Sequence, residues 1–221
     1  MRILTVSVPE KEKLDEKINE GYNDIEIQLN DLIDDEKRRV YYKNIINTDI
    51  NVFAVHMPIM KNEDLNIEYF TYKPYKEVFI QTCIFAQMLA DHYDHDIIVI
   101  LRNGFQMEHY EKIPFLMNEI ISLFDIEINQ CPRIFFAIET ENGFKDENVK
   151  LAEYLNKYCI KKVFGTVLNV CHTITTIREM KKLFSNTDMD ISKFTFENYF
   201  RINKNTMIII YLIFKPRKRE V

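Results

Sequence analysis

The stretch Val163-Phe-Gly-Thr-Val-Leu-Asn-Val-Cys-His-Thr173 decides how the rest of the chain is read. Val163–Val170 has the near-continuous apolar character of a buried parallel strand, and its C-terminal end delivers Asn169 and His172 to one edge of a sheet. A second stretch has the same form: Arg133-Ile-Phe-Phe-Ala-Ile-Glu-Thr-Glu-Asn-Gly143 is an apolar run that ends in Glu139, Glu141 and Asn142, then a glycine. Two apolar strands, each ending in polar groups and each followed by a helix, point to a site at the carboxyl edge of a parallel sheet.

Working outward, the same alternation recurs. Ile3–Val8 predicts a first strand, followed by a charged helix from Pro9 to Glu20. Asp24-Ile-Glu-Ile-Gln-Leu29 alternates polar and apolar residues as a second strand does, and a helix over Asp31–Ile46 follows. Val52–Pro58 is the third strand, with His56 at its C-terminal end. Tyr75–Tyr93 places residues 75, 78, 79, 82, 83, 86, 89, 90 and 93 on one helical stripe. Ile97–Leu101 is a fully apolar fourth strand that runs into Arg102, and its helix is expected over Met107–Phe124. Arg133–Thr140, a helix over Asp146–Tyr158, Val163–Val170 and a helix over Ile174–Phe184 complete six repeats. Phe194–Ile202 and Met207–Phe214 are strand-like but too close in sequence for a helical crossover, so an antiparallel hairpin is expected there, or one strand leaves the sheet. An apolar edge at Met207–Phe214 would favour a homo-oligomer.

Strands alternating with helices imply right-handed βαβ units and a parallel sheet. The reading is a single α/β domain over residues 1–221, a (β/α)8 TIM-barrel-like fold with an incomplete or irregular last quarter. An open doubly wound sheet is the alternative, but the first βα turn lacks a glycine-rich phosphate fingerprint.

Composition sets outer bounds. With 221 residues and 47% hydrophobic content the chain can fill a large core, and four glycines and six prolines leave no linker. A net charge of -5 argues against nucleic acid as a partner, because phosphate contacts dominate such binding; the basic run Lys215–Arg219 reads as a solvated tail. Met1–Val8 turns polar too quickly for a signal peptide, and the apolar run Met207–Phe214 is too short to cross a bilayer. The expectation is a cytoplasmic protein with no membrane partner. Cysteines 83, 131, 159 and 171 form no close pair and read as buried free thiols.

The chain resembles the xylose-isomerase-like barrel superfamily, which includes sugar isomerases, sugar epimerases and endonuclease IV-type enzymes. The resemblance covers residues 1–175. It rests on Asp24-Ile-Glu-Ile27, Val55-His-Met-Pro58, Ile97-Ile-Val-Ile-Leu-Arg-Asn-Gly104, Ile138-Glu-Thr-Glu-Asn-Gly143 and Gly165-Thr-Val-Leu-Asn-Val-Cys-His172. It implies that these strand ends supply ligands to divalent metals, with His56 near metal or substrate and Glu139 as the metal-binding or catalytic glutamate. The sixth strand of such barrels ends in an aspartate, two residues and a histidine, which here reads Asn169-Val-Cys-His172.

Other positions depart from the resembled pattern. Arg102 stands where the family has a histidine, Tyr199–Lys204 contains no histidine, and Met207–Phe214 contains no acid. A zinc or manganese site needs several deprotonated ligands, for which Glu139, His56 and His172 are the candidates. Asn169 offers only a neutral carbonyl oxygen, and Arg102 brings a permanent positive charge. No cofactor is therefore expected, with zinc or manganese the alternative. The function expected is a sugar or sugar-phosphate isomerase or epimerase with a degenerate metal site. In it Glu139 and His172 are catalytic, and His56, Arg102 and Asn169 bind a small polyol or sugar-phosphate ligand. The alternatives are an endonuclease IV-like phosphodiesterase and a barrel that binds a small ligand without turnover. An Arg102–Glu139 ion pair in place of the metal is a further expectation.

Overall fold

The structure, a computed structural model, describes residues 5–29, 33–60, 63–64, 66–103, 114–139, 147–167 and 208–209. Within them the elements are β1 (Thr5–Ser7), α1 (Lys11–Asn19), β2 (Asp24–Gln28), α2 (Asp35–Ile46) and β3 (Asn51–His56). A short hairpin, β4 (Ile59–Met60) and β5 (Glu63–Asp64), precedes a 3₁₀ turn at Ile67–Tyr69 and α3 (Tyr75–Tyr93). Then come β6 (Ile97–Arg102), α4 (Pro114–Gln130), β7 (Ile134–Glu139), α5 (Glu147–Tyr158), β8 (Phe164–Val167) and β9 (Ile208–Ile209).

Seven strands form one sheet in the order β1-β2-β3-β6-β7-β8-β9, and every pairing between neighbours is parallel. The order follows the sequence without reversing. A doubly wound sheet would double back at a switch point, whereas a barrel adds each strand beside the last. The sequential order is therefore that of the barrel.

The expected elements correspond closely, with three differences. The helix after β6 is expected to end at Phe124, but α4 runs to Gln130 because Leu123, Phe124, Glu127 and Ile128 continue its buried stripe. It opens on Pro114, whose fixed φ and missing N–H suit the first helical position. The β4–β5 hairpin is not anticipated, since strands of two residues show no period. Ile208–Ile209, from the last apolar run, lies parallel beside β8. The expected hairpin partner Phe194–Ile202, the helix over Ile174–Phe184 and the basic run 215–219 lie outside the described residues.

The sheet sorts its side chains onto two faces. Ile25, Ile27, Val52, Val55, Val99, Leu101, Phe136, Ile138 and Phe164 belong to the large cluster that also holds Phe79 and Phe124 of α3 and α4. Aromatic rings dominate its centre: Phe79 and Phe124 meet edge to face at 5.2 Å, as do Phe124 and Phe164 at 4.9 Å. The other face holds a smaller cluster, Ala54, Ile98, Ile100, Ala137 and Val167. In the barrel arrangement the larger cluster lies on the outer face, under the helices, and the smaller one lines the interior.

One irregularity decides what the inner face displays. Ile25 pairs with Val52 but Glu26 pairs with Ala54, so Phe53 is an extra residue, a β-bulge. Val52 faces outward, and strict alternation would send Ala54 and His56 outward with it. The extra residue reverses the alternation, putting Val55 and Met57 among the outer cluster and Ala54 among the inner one. His56 is thereby turned to the inside.

The buried thiols are as expected among the described residues. Cys83, Cys131 and Cys159 are free and buried, and burial pushes the Cys131 and Cys159 thiols up to about 12, which makes them poor nucleophiles. His92 is exposed, whereas His95 is partly buried and stacks on Phe53 with ring centroids 4.4 Å apart. Among the described residues, no helix is long and apolar enough to cross a membrane.

Candidate functional site

Alternation along the strands puts Glu26 of β2, His56 of β3, Arg102 of β6 and Glu139 of β7 on the inner face, the last three at the carboxyl ends. Arg102 pairs in register with Glu139, and His56 pairs with Ile100, two residues before Arg102, so His56 stands one inward-facing position below the other two. Beneath them lie small residues, Ala54 and Ala137, which leave room above.

The three meet at one atom. His56 Nε2 lies 3.1 Å from Glu139 Oε2, and Arg102 Nε lies 3.3 Å from the same oxygen. The side chains of His56 and Glu139 are 4% and 5% exposed, so this carboxylate is held by two cationic partners away from water. Arg102 is more open, with 18% of its side chain exposed. The expected contact between Arg102 and Glu139 is thus present.

Hydrogen-bond chemistry fixes the protons. His56 Nδ1 lies 2.7 Å from the carbonyl oxygen of Met57, which can only accept, so Nδ1 carries a proton and donates it. Nε2 faces a carboxylate oxygen, which when ionised also only accepts. With Glu139 ionised, Nε2 also donates and the ring is an imidazolium, the form favoured by a pKa raised above the ordinary value. Burial opposes that charge, but the hydrogen bond to Glu139 and the charges of Glu139 and Glu26 outweigh it, holding His56 above its ordinary value against the opposing Arg102.

A network of amides holds the strand ends. Asn103 Nδ2 donates to Asn148 Oδ1 at 2.8 Å, and Asn148 Nδ2 donates to the backbone oxygen of Glu139 at 2.7 Å. All three residues are buried.

Of the residues expected at the site from sequence, His56, Arg102 and Glu139 are brought together by the fold. Asn169 and His172, expected in the same pocket, lie outside the described residues, as does Glu141. Glu26, which is 2% exposed, escapes a sequence reading because an alternating strand reads as having a solvated polar face. In a barrel that face is the interior. Asn103 and Asn148 escape it too, since no local pattern distinguishes them from loop and helix-surface asparagines.

Among the described residues, which do not include Asn169 and His172, the donor set does not fit a metal site. A ligating histidine must present a bare nitrogen, and both nitrogens of His56 face acceptors. The Arg102 guanidinium beside Glu139 would repel a cation bound to the same oxygen. Among the described residues, no group of three or more His, Cys, Asp or Glu is arranged to hold a metal ion.

No family model matches the chain, and no curated protein matches it. Among solved structures, the chain is similar to an AP endonuclease of family 2 from Brucella melitensis, at 13% identity and a TM-score of 0.52, over 82% of this chain and 75% of that one. It is also similar to a D-tagatose 3-epimerase-like protein, at 11% identity and a TM-score of 0.47, over 81% and 72% of the two chains. The first likeness shows the fold, which is that of a TIM barrel.

Proposed function

We propose that this protein is a sugar or sugar-phosphate isomerase- or epimerase-like barrel with a degenerate metal site. The observation that supports it is the buried group of His56, Arg102 and Glu139 meeting at one carboxylate oxygen on the inner face. Moving a proton next to a carbonyl needs an ionised base and positive charge where the carbonyl oxygen becomes an oxyanion. Glu139 is the base in this reading, and the cations beside it keep it ionised. The same cations, His56 and Arg102, supply the positive charge that a divalent metal supplies in the resembled family. Their charge costs no reorganisation as the reaction proceeds, because both are already fixed by Glu139. His172 and Asn169, following β8 in sequence, would bind substrate hydroxyls. The ligand in this reading is a small polyol or its phosphate.

The test is solvent exchange. The purified protein is incubated in deuterium oxide with a panel of aldoses, ketoses and their phosphates, and deuterium entering the carbon next to the carbonyl is followed by NMR. Incorporation into at least one of them is expected, with a loss of about 100-fold or more in Glu139→Gln. Binding without incorporation would reassign the site to a barrel that holds its ligand without turnover. Neither binding nor incorporation would overturn the sugar reading.

A further inference from the structure

The last described register pair of the ladder between β6 and β7 is Arg102 and Glu139. These are the two residues whose side chains meet. Asn148, in the first turn of α5, donates to the backbone oxygen of Glu139 and accepts from the side chain of Asn103, the residue after Arg102. Both ends of the ion-paired register are therefore tied to one side chain that is itself only 8% exposed.

We infer that Asn148 is a positioning residue for the His56–Glu139 pair: it holds the ends of β6 and β7 so that the Glu139 carboxylate reaches His56. The physical reason is leverage. Glu139 Oε2 is several bonds from its backbone, so a small rotation at the strand end moves it out of the 3.1 Å contact with His56 Nε2. A hydrogen bond on the carbonyl of Glu139 itself resists that rotation. A buried asparagine that loses either bond leaves a polar group unsatisfied, so the arrangement is self-enforcing. Asn148 bonds the backbone oxygen of Glu139, and its effect on the pair passes through that backbone.

The inference rests on the reading of His56 and Glu139 as the working pair, but it is measured without ligand, so failure of the sugar reading leaves its test intact. The His56 titration is followed by NMR in the wild-type chain and in Asn148→Ala. The expected result is a folded protein whose His56 titrates closer to a free imidazole, because the hydrogen bond that raises it has lengthened. A merely structural role would lower stability and leave that titration in place. If Asn148→Ala does not fold, Asn103→Ala, which removes one of the two bonds and keeps Asn148, is read in the same way, with a smaller shift in the same direction. An unchanged His56 titration in the folded variant overturns the inference.

Discussion

At the scale of residues, the site consists of charges that hold one another in place. Breaking a buried pair by removing one partner leaves the other charge uncompensated, at a typical cost of about 3 kcal/mol. Arg102→Ala is expected to destabilise the protein by about that much in denaturant unfolding, because Glu139 loses one of the two cations at its Oε2. A loss below about 1 kcal/mol would place Arg102 among weak surface partners. His56 gives a pH dependence with a definite sign. Its folded value lies above that of the unfolded chain, so its contribution is full below about 6.5 and is lost as the pH rises through the folded value. Thermal unfolding should show stability falling with pH above about 6.5, a slope that His56→Gln flattens. An equal slope in the variant would assign the effect elsewhere. His56, Arg102 and Glu139 are legible in sequence because each closes an apolar strand. Glu26 and Asn148 are not, since what makes them important is the neighbour that folding brings, not the residues on either side.

At the scale of elements, helix α3 and strands β6 and β7 can be located from their periods, because burial on one face or both imposes a pattern. The bulge at Phe53 cannot, although it turns His56 inward: Val52-Phe-Ala-Val-His56 is apolar up to its histidine and fits either alternation. Helix α4 also hides a feature within its apolar stripe. Glu127 is 1% exposed, and among the described residues its Oε2 has no hydrogen-bond partner. Burial pushes its carboxyl up from 4.5 to about 7, against the lowering effect of Lys76. A carboxyl raised in the folded state binds its proton more tightly there than in the unfolded chain. Stability therefore falls as the pH rises from 4.5 to about 7 and stays reduced above it. Glu127→Gln keeps the shape and removes the charge, so it should stabilise the protein above pH 7 by at most roughly 3 kcal/mol and change little below pH 4.5. A variant less stable than the parent at pH 8 would show that the ionised carboxylate has a partner worth keeping.

For the whole molecule, the fold is legible in the sequence and the chemistry only in part, for one physical reason. A parallel barrel writes its strands as apolar runs separated by helices, and the sequential sheet order follows from connections that a chain of this kind can make. What the interior does depends on which residues meet across it, and sequence spacing does not report that. The resulting site places Glu26 and Glu139 on the inner face with His56 and Arg102, the last two meeting Glu139 at one oxygen. The proposal that His56 and Arg102 stand in for a metal cation beside Glu139 is the centre of the account. It is tested most directly by the nitrogen-15 spectrum of His56, recorded at pH 6.5 with and without stoichiometric zinc. At that pH a free imidazole is about half protonated. Here both ring nitrogens should be predominantly protonated, and zinc should leave the spectrum unchanged. A His56 with a bare Nε2 that shifts to a metal-bound position on adding zinc would contradict the account.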